Sequence, residues 1–263
     1  MGDLTMRGTI DTILFDLDGT LYGKGKPIKS AVNVIETLRK EKIKLGFITN
    51  TDGWPVEHIH KRLINMGFNI VLEEVFTPVA AIKQFFVDNP DKSCYLLVTD
   101  EVFESLKGLK LDETDPDYVV IGDFSDKTSY EEINKVFRFI MNGSEILALS
   151  KTNYYFQDNG ININTGAFVG MFEKACEKEA VLLGKPSKEF FNLALNRLGS
   201  KAESTIVIGD DITVDVAGAK AVDAISVLVK TGHYNEDIVN SFKEKPDYII
   251  EDITYLPSLL IEE

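Results

Sequence analysis

The run Ile13-Leu14-Phe15-Asp16-Leu17-Asp18-Gly19-Thr20-Leu21 constrains this chain more than any other segment. Consecutive apolar residues without alternation suit a strand buried on both faces, the kind found in parallel sheets covered by helices. The run then delivers two acids and a glycine turn. Because strand side chains repeat every two residues, Asp16 and Asp18 begin on one side of the sheet. They stand at the carboxyl edge, where open α/β sheets bind ligands. An Asp-x-Asp-Gly by itself also ends ordinary strands, so its meaning depends on what else reaches the same edge.

The rest of the chain alternates short β-rich runs with helix-period segments, the pattern of α/β architecture on a mainly parallel sheet. Strands are expected at Thr9 to Phe15, Lys44 to Ile48, Cys94 to Val98, Tyr118 to Ile121 and Glu145 to Leu149, then at Ala180 to Leu183, Thr205 to Ile208, Ala224 to Val229 and Tyr248 to Ile250. A helix opening near Pro27 carries Ala31, Val32, Ile35 and Leu38; another follows Pro55 and stops at Gly67, and a third covers Phe190 to Leu198. Ile133, Val136, Phe137, Ile140 and Met141 fit an amphipathic helical stripe. The expected fold is a doubly wound, Rossmann-like parallel-sheet core formed by residues 1–78 and 180–263. A second, smaller α/β domain, residues 79–179, is inserted in it.

Three further segments end or follow apolar strands with polar groups. Thr49-Asn50 supplies a hydroxyl and an amide, Gly184-Lys185-Pro186 a cation, and Gly209-Asp210-Asp211-Ile212-Thr213-Val214-Asp215 an acidic cluster. Each alone reads as a cap or turn. Together they converge on one sheet edge. Carboxylates of Asp16, Asp18 and Asp210 gathered there would repel one another and a phosphate dianion unless a divalent cation lay among them, and an oxygen-only donor set suits Mg²⁺. With that cation and Lys185 screening charge, a carboxylate can attack phosphorus and form an aspartyl phosphate. The second carboxylate can serve as general acid and then general base, while Thr49 and neighbouring amides hold the phosphoryl oxygens.

These residues resemble the haloacid dehalogenase superfamily of phosphatases, whose four motifs are similar to Asp16-Leu17-Asp18-Gly19-Thr20, Thr49, Lys185 and Gly209-Asp210-Asp211. The resemblance spans nearly the whole chain. It implies Asp16 as nucleophile and metal ligand, Asp18 as general acid/base ligating through its backbone carbonyl, and Asp210 as the third protein ligand. Thr49 and Lys185 would hold phosphate, with Gly19, Asn50 and Thr51 beside them, and Asp211 and Asp215 would orient metal-bound water. The insert resembles the type-two (C2) cap, and the subtype resembles class IIA, the NagD-like branch with 4-nitrophenyl phosphatases. Lys151-Thr152-Asn153-Tyr154-Tyr155-Phe156-Gln157-Asp158-Asn159-Gly160, Thr165-Gly166-Ala167-Phe168-Val169 and the segment after Gly184 are similar to the phospholysine phosphohistidine inorganic pyrophosphate phosphatase group. Thr51-Asp52 departs from the second Asn that many class IIA members carry. In the cap, Lys151, Asn153, Tyr154 and Tyr155 are the candidates for substrate selection.

Charge narrows the partners. With 28 Lys+Arg against 42 Asp+Glu, the net charge of −14 repels nucleic acid and anionic membranes, which leaves small phosphorylated molecules as substrates. Cys94 and Cys176 are too far apart in sequence for a metal motif and are expected to be reduced thiols; Met1–Met6 carries no secretion signal pattern, so a cytoplasmic protein is expected. A homodimer is compatible with the sequence. His58, His60 and His233 are expected at the surface, and Trp54 at a helix entrance. The competing readings are a phosphomutase, a carbon–halogen hydrolase, a phosphorylatable receiver and a catalytically silent binding protein on the same fold. The halogen hydrolase has no use for Asp18 or Mg²⁺, and the receiver has a different motif order and about half this length.

Overall fold

The computed structural model describes residues 10–157 and 160–260. Thr9, the Met1–Met6 segment, and Asp158 and Asn159 of the cap motif lie outside the described residues. The chain divides into two compact units, each an α/β structure.

The first unit comprises the chain up to Thr49, Ile59–Phe76 and the chain from Lys185 onward. Its six-stranded sheet runs in the spatial order Tyr248–Ile250, Ile225–Val229, Thr205–Gly209, Thr12–Asp16, Lys44–Ile48, Val75–Phe76, and every pairing is parallel. Ile13, Leu14 and Phe15 expose no surface, as expected of a central strand covered on both faces. Later strands are added to either side of Thr12–Asp16, so the winding reverses there. The crevice beyond that strand's carboxyl end is the switch point at which doubly wound sheets bind ligands.

The helix expected to open near Pro27 begins instead at Ala31 and spans Ala31–Lys40. Pro27 sits in a two-residue strand, Lys26–Pro27, paired antiparallel with Tyr22–Gly23; the fixed φ of proline suits extended backbone as well as a first helical turn. The buried stripe is Ala31, Val34, Ile35 and Leu38, the i, i+3, i+4, i+7 series, so Val34 takes the core position expected of Val32. The helix after Pro55 spans Val56–Asn65 and ends before Gly67, whose φ of +92° breaks it.

The second unit comprises Asn50–His58 and Thr77–Gly184. Its parallel sheet has the order Val181–Leu182, Glu145–Ala148, Tyr118–Ile121, Cys94–Leu97, and an antiparallel hairpin joins Tyr154–Gln157 to Gly160–Ile163. Leu97, Val119, Ile121, Val136, Ile140 and Phe172 belong to its core. In the helix Tyr130–Asn142 the stripe centres on Val136, Phe139 and Ile140, and Phe139 packs 5.1 Å from the ring of Tyr95. Met141, expected in that stripe, lies one further residue (about 100°) round the helix and is 57% exposed. Among the described residues, no helix is long and apolar enough to cross a membrane.

Candidate active site

The first unit brings Asp16, Asp18, Thr49, Lys185, Asp210 and Asp215 to the carboxyl edge of its sheet. Asp16 is the last residue of its strand and is nearly buried, 6% exposed. Beyond it the chain folds back tightly, with the amides of Thr20, Leu21 and Tyr22 donating to the Leu17 carbonyl and that of Gly19 donating to the Tyr22 carbonyl at 2.7 Å. Both oxygens of Asp16 are held. Lys185 Nζ donates to Oδ1 at 2.5 Å and Thr20 Oγ1 to Oδ2 at 3.0 Å.

Lys185 also donates to Asp215 Oδ1 at 2.7 Å, so one buried ammonium bridges two buried carboxylates. Burial alone would discharge it; the charges of Asp16 and Asp215 more than offset that and hold its pKa above the ordinary lysine value. Oxygens of Asp16, Asp210 and Asp215 lie within 4.8 Å of one another. Burial first, and then the charges of Asp16 and Asp215, raise the pKa of Asp210; burial likewise raises that of Asp215 against the pull of Lys185. Three acids facing one ammonium leave an excess of negative charge, and the donors are all hard oxygens. These carboxylates therefore suit a hard divalent cation, and the raised pKa values are what such a set has before a cation compensates it.

Asp18 turns its side chain toward solvent, yet partial desolvation and the charge of Asp16 raise its pKa, with Arg62 and His233 opposing. Arg62 lies over the ring of Tyr22 at 4.9 Å. Thr49 is buried one residue past its strand, and its amide donates to the Phe76 carbonyl. Asp211 caps the π-helical turn Ile212–Val216 through the amide of Thr213 at 2.8 Å, and Asp215 reaches back to the Asp211 amide at 3.2 Å. That turn brings Asp215 close to Asp16 and Asp210, with its two oxygens engaged by Lys185 and the Asp211 amide. Asp211 stays at the margin.

Sequence reasoning missed the segment Thr231-Gly232-His233, which follows the strand Ile225–Val229. The His233 amide donates to Asp210 Oδ2 at 2.5 Å and Thr231 Oγ1 to the Gly19 carbonyl at 2.5 Å. Gly232 and Gly19, both at positive φ, press so closely on Asp210 that a Cβ on either would overlap Oδ2. His233 is exposed, as expected, and joins the site through its backbone amide. Its position just beyond a core strand was the available signal. Sequence reasoning likewise missed the Thr20 hydroxyl, which reaches back four residues to Asp16.

The second unit holds the remaining candidates. Asn50 and Thr51 are half-buried. Lys151 pairs with Glu173 at 2.7 Å, and the Asn153 carbonyl accepts from the Asn164 amide. Tyr154 and Tyr155 are exposed on the hairpin. Trp54 is half-exposed against the His58 ring at 3.9 Å; in the first unit, the His60 ring contacts the Ile70 carbonyl at 2.8 Å.

Residues 13–112 match the family model described as haloacid dehalogenase-like hydrolase, and residues 182–256 match the related HAD-hydrolase-like model. The cow protein named haloacid dehalogenase-like hydrolase domain-containing protein 2 is 32% identical, over 95% of this chain and 100% of its own length. The chain belongs to this hydrolase family. A Xenopus laevis protein named phospholysine phosphohistidine inorganic pyrophosphate phosphatase is 30% identical, covering 96% of this chain and 95% of that one. The structure of the p-nitrophenyl phosphatase from Archaeoglobus fulgidus superposes with a TM-score of 0.88 at 26% identity, over 96% of this chain and all of that one. NagD from E. coli shares the fold, with a TM-score of 0.86 at 21% identity over 97% of this chain and 99% of that one. Within the family, this hydrolase falls among the phosphatases.

Proposed function

We propose that this hydrolase is a Mg²⁺-dependent cytoplasmic phosphatase that cleaves small phosphorylated metabolites through an aspartyl phosphate on Asp16. The observation that carries this reading is the double hold on Asp16, with Lys185 on Oδ1 and Thr20 on Oδ2, beside Asp210. A carboxylate so fixed is oriented as a nucleophile instead of being left to rotate. One Asp16 oxygen attacks phosphorus while the bond to the leaving oxygen breaks. Asp18, whose raised pKa favours a carboxylic acid, gives its proton to that oxygen. Asp18, now ionised, takes a proton from water as the water attacks phosphorus; the bond to Asp16 breaks and phosphate leaves.

Lys185 and Thr49 steady the non-bridging oxygens throughout. Asp16, Asp210 and the Asp18 carbonyl would hold Mg²⁺, with Asp211 and Asp215 supporting it. When bound, the ion supplies positive charge against the carboxylates and the phosphoryl group. Gly19, Asn50, Thr51, Lys151 and Asn153 are the residues proposed to line the substrate, and Cys94 and Cys176, both free thiols, fit a reducing compartment. The names of the similar proteins make 4-nitrophenyl phosphate and pyrophosphate the first substrates to try.

The test is Mg²⁺-dependent release of 4-nitrophenol by the wild type and by Asp16→Asn. Hydrolysis that persists in the variant rejects Asp16 as nucleophile. Running the reaction in ¹⁸O-water distinguishes hydrolysis, which puts the label in released phosphate, from a phosphomutase, which does not.

A further inference from the structure

Asp16, Asp52, Asp210 and Asp215 are the buried acids among the described residues, and Asp52 is the one the reaction above leaves unused. It lies in the second unit, three residues after Thr49, and is 5% exposed. Thr165, the first residue of the helix Thr165–Cys176, donates its hydroxyl to Asp52 Oδ2 at 2.7 Å and is itself buried. A carboxyl group removed from water persists in a fold only where its hydrogen bonds repay the desolvation, so this contact is a constraint on the chain.

The surroundings indicate what is constrained. Thr99, just past the strand Cys94–Leu97, donates to the Gly53 carbonyl at 3.1 Å. Asp123, just past Tyr118–Ile121, packs so closely on Gly53 that a Cβ there would lie 2.7 Å from its Oδ2. Gly166 packs on the carbonyl of Lys151, just past Glu145–Ala148, and its amide donates to the Thr152 carbonyl. The segment following Thr49 is therefore fastened along the carboxyl edge of the second unit's sheet, at two successive strand ends and at the start of the helix Thr165–Cys176, which itself packs on a third.

From this geometry we infer that Asp52 is a positioning residue: its bond to Thr165 pins the segment Asn50–Gly53 to the sheet edge of the second unit and thereby sets the placement of Asn50 and Thr51, proposed above to line the substrate. The inference rests on the phosphatase reading for its effect on catalysis, but the pin itself does not. Asp123 is the charged side chain facing Asp52. Lys151 is engaged by Glu173, and on Asp52's own segment His58 pairs with Glu101. Burial, reinforced by Asp123, pushes the Asp52 carboxyl up to about 7, while Thr165 and the amides of Asp52 and Asp123 favour ionisation. The raised value means that the folded segment holds the protonated acid better than the ionised one, although the Thr165 bond itself favours the carboxylate; the fastening therefore weakens as pH rises from the ordinary carboxylate range toward about 7 and is level above it.

Three variants and two readouts test this. Asp52→Ala and Thr165→Val should each raise KM for 4-nitrophenyl phosphate about tenfold near pH 6, with kcat changed less than about twofold, and the double variant should be no worse than either single one. Asp52→Asn keeps an acceptor for Thr165 without a titrating group, so it should retain the wild-type KM near pH 5 and lose the wild type's rise in KM between about pH 5 and about pH 7. Additive single effects, or an unchanged KM in Asp52→Ala, would overturn the inference. In the free wild-type protein, amide exchange of residues 50–54, corrected for its intrinsic pH dependence, should lose protection between about pH 5 and about pH 7, and Asp52→Asn should not. Protection that is equal at both pH values in the wild type rejects the pin. Because exchange is read without substrate, a wild type that hydrolyses no phosphate ester counts against the phosphatase reading alone.

Discussion

Lys185 Nζ lies 2.5 Å from Asp16 Oδ1, and both groups are almost fully buried. The same ammonium reaches Asp215 at 2.7 Å, so it is at once the counter-charge of the nucleophile and a strut beneath the acidic cluster. Removing it leaves two buried carboxylates uncompensated. Lys185→Met, close in length and apolar, should therefore cost about 3–5 kcal/mol of stability at neutral pH, and less in acid, where the carboxylates can protonate. Urea denaturation at two pH values measures this, and kcat/KM should fall by at least about a hundredfold. A methionine variant as stable as the wild type would mean that the cluster is compensated by something other than Lys185.

Thr20 holds the other oxygen of Asp16 and exposes no surface. Thr20→Val preserves the shape while deleting the donor. Loss of one hydrogen bond to an ionised group should lower kcat/KM by about tenfold to a hundredfold, with the fold retained by circular dichroism. Full activity would mean that Lys185 alone orients the nucleophile.

Stability should depend on pH in a way that Mg²⁺ alters. The folded-state pKa values of Asp210 and Asp215 are raised above the ordinary value of 3.8, first by burial. Between that value and the raised ones the folded protein keeps protons that the unfolded chain has released, so these groups reduce stability as pH climbs through that window. A bound dication reverses the preference for protons. In a chelator, Tm should fall as pH rises from about 5 to about 8, and added Mg²⁺ should raise Tm by an amount that grows over the same range. An increment that does not vary with pH would separate the ion from these carboxylates.

The central strand was legible because burial on both faces leaves an uninterrupted apolar run, as at Ile13-Leu14-Phe15, and because the acids that end it stand out against that run. Asp210 was legible for the same reason, whereas Lys185 stood out only against the short apolar run before Gly184, which is the exposed edge strand Val181–Leu182. What stayed hidden depends on contacts distant in sequence or on backbone groups. The amide of His233 reaches Asp210 from a different strand end, and no side-chain pattern encodes an amide. Asp215 joins the cluster because the turn after Asp210 is π-helical, a local widening that spacing alone does not reveal. The edge strand Val75–Phe76 is too short to carry a period, and the hairpin Tyr154–Gln157 with Gly160–Ile163 exposes apolar residues on a polar-looking segment. Pro27 was misread because one fixed φ serves two structures.

Asp18 offers the sharpest test of chemistry, because an acid catalyst matters only where the leaving group needs a proton. Desolvation and the charge of Asp16 raise its pKa and favour the form that can donate. For an aryl phosphate with a strongly acidic phenol, the departing oxygen is stable as an anion and gains little from that proton. For an alkyl phosphate, the alkoxide is a far stronger base and gains much. Since kcat/KM reports only the steps up to the first irreversible one, formation of the phosphoenzyme, it isolates this role from the later attack of water. Across a series of esters, Asp18→Asn should lower kcat/KM by about 10²–10⁴ for the poorest leaving groups and far less for 4-nitrophenyl phosphate, steepening the dependence on leaving-group pKa. A uniform decrease across the series would assign Asp18 to holding the site together and would move the proton donor elsewhere.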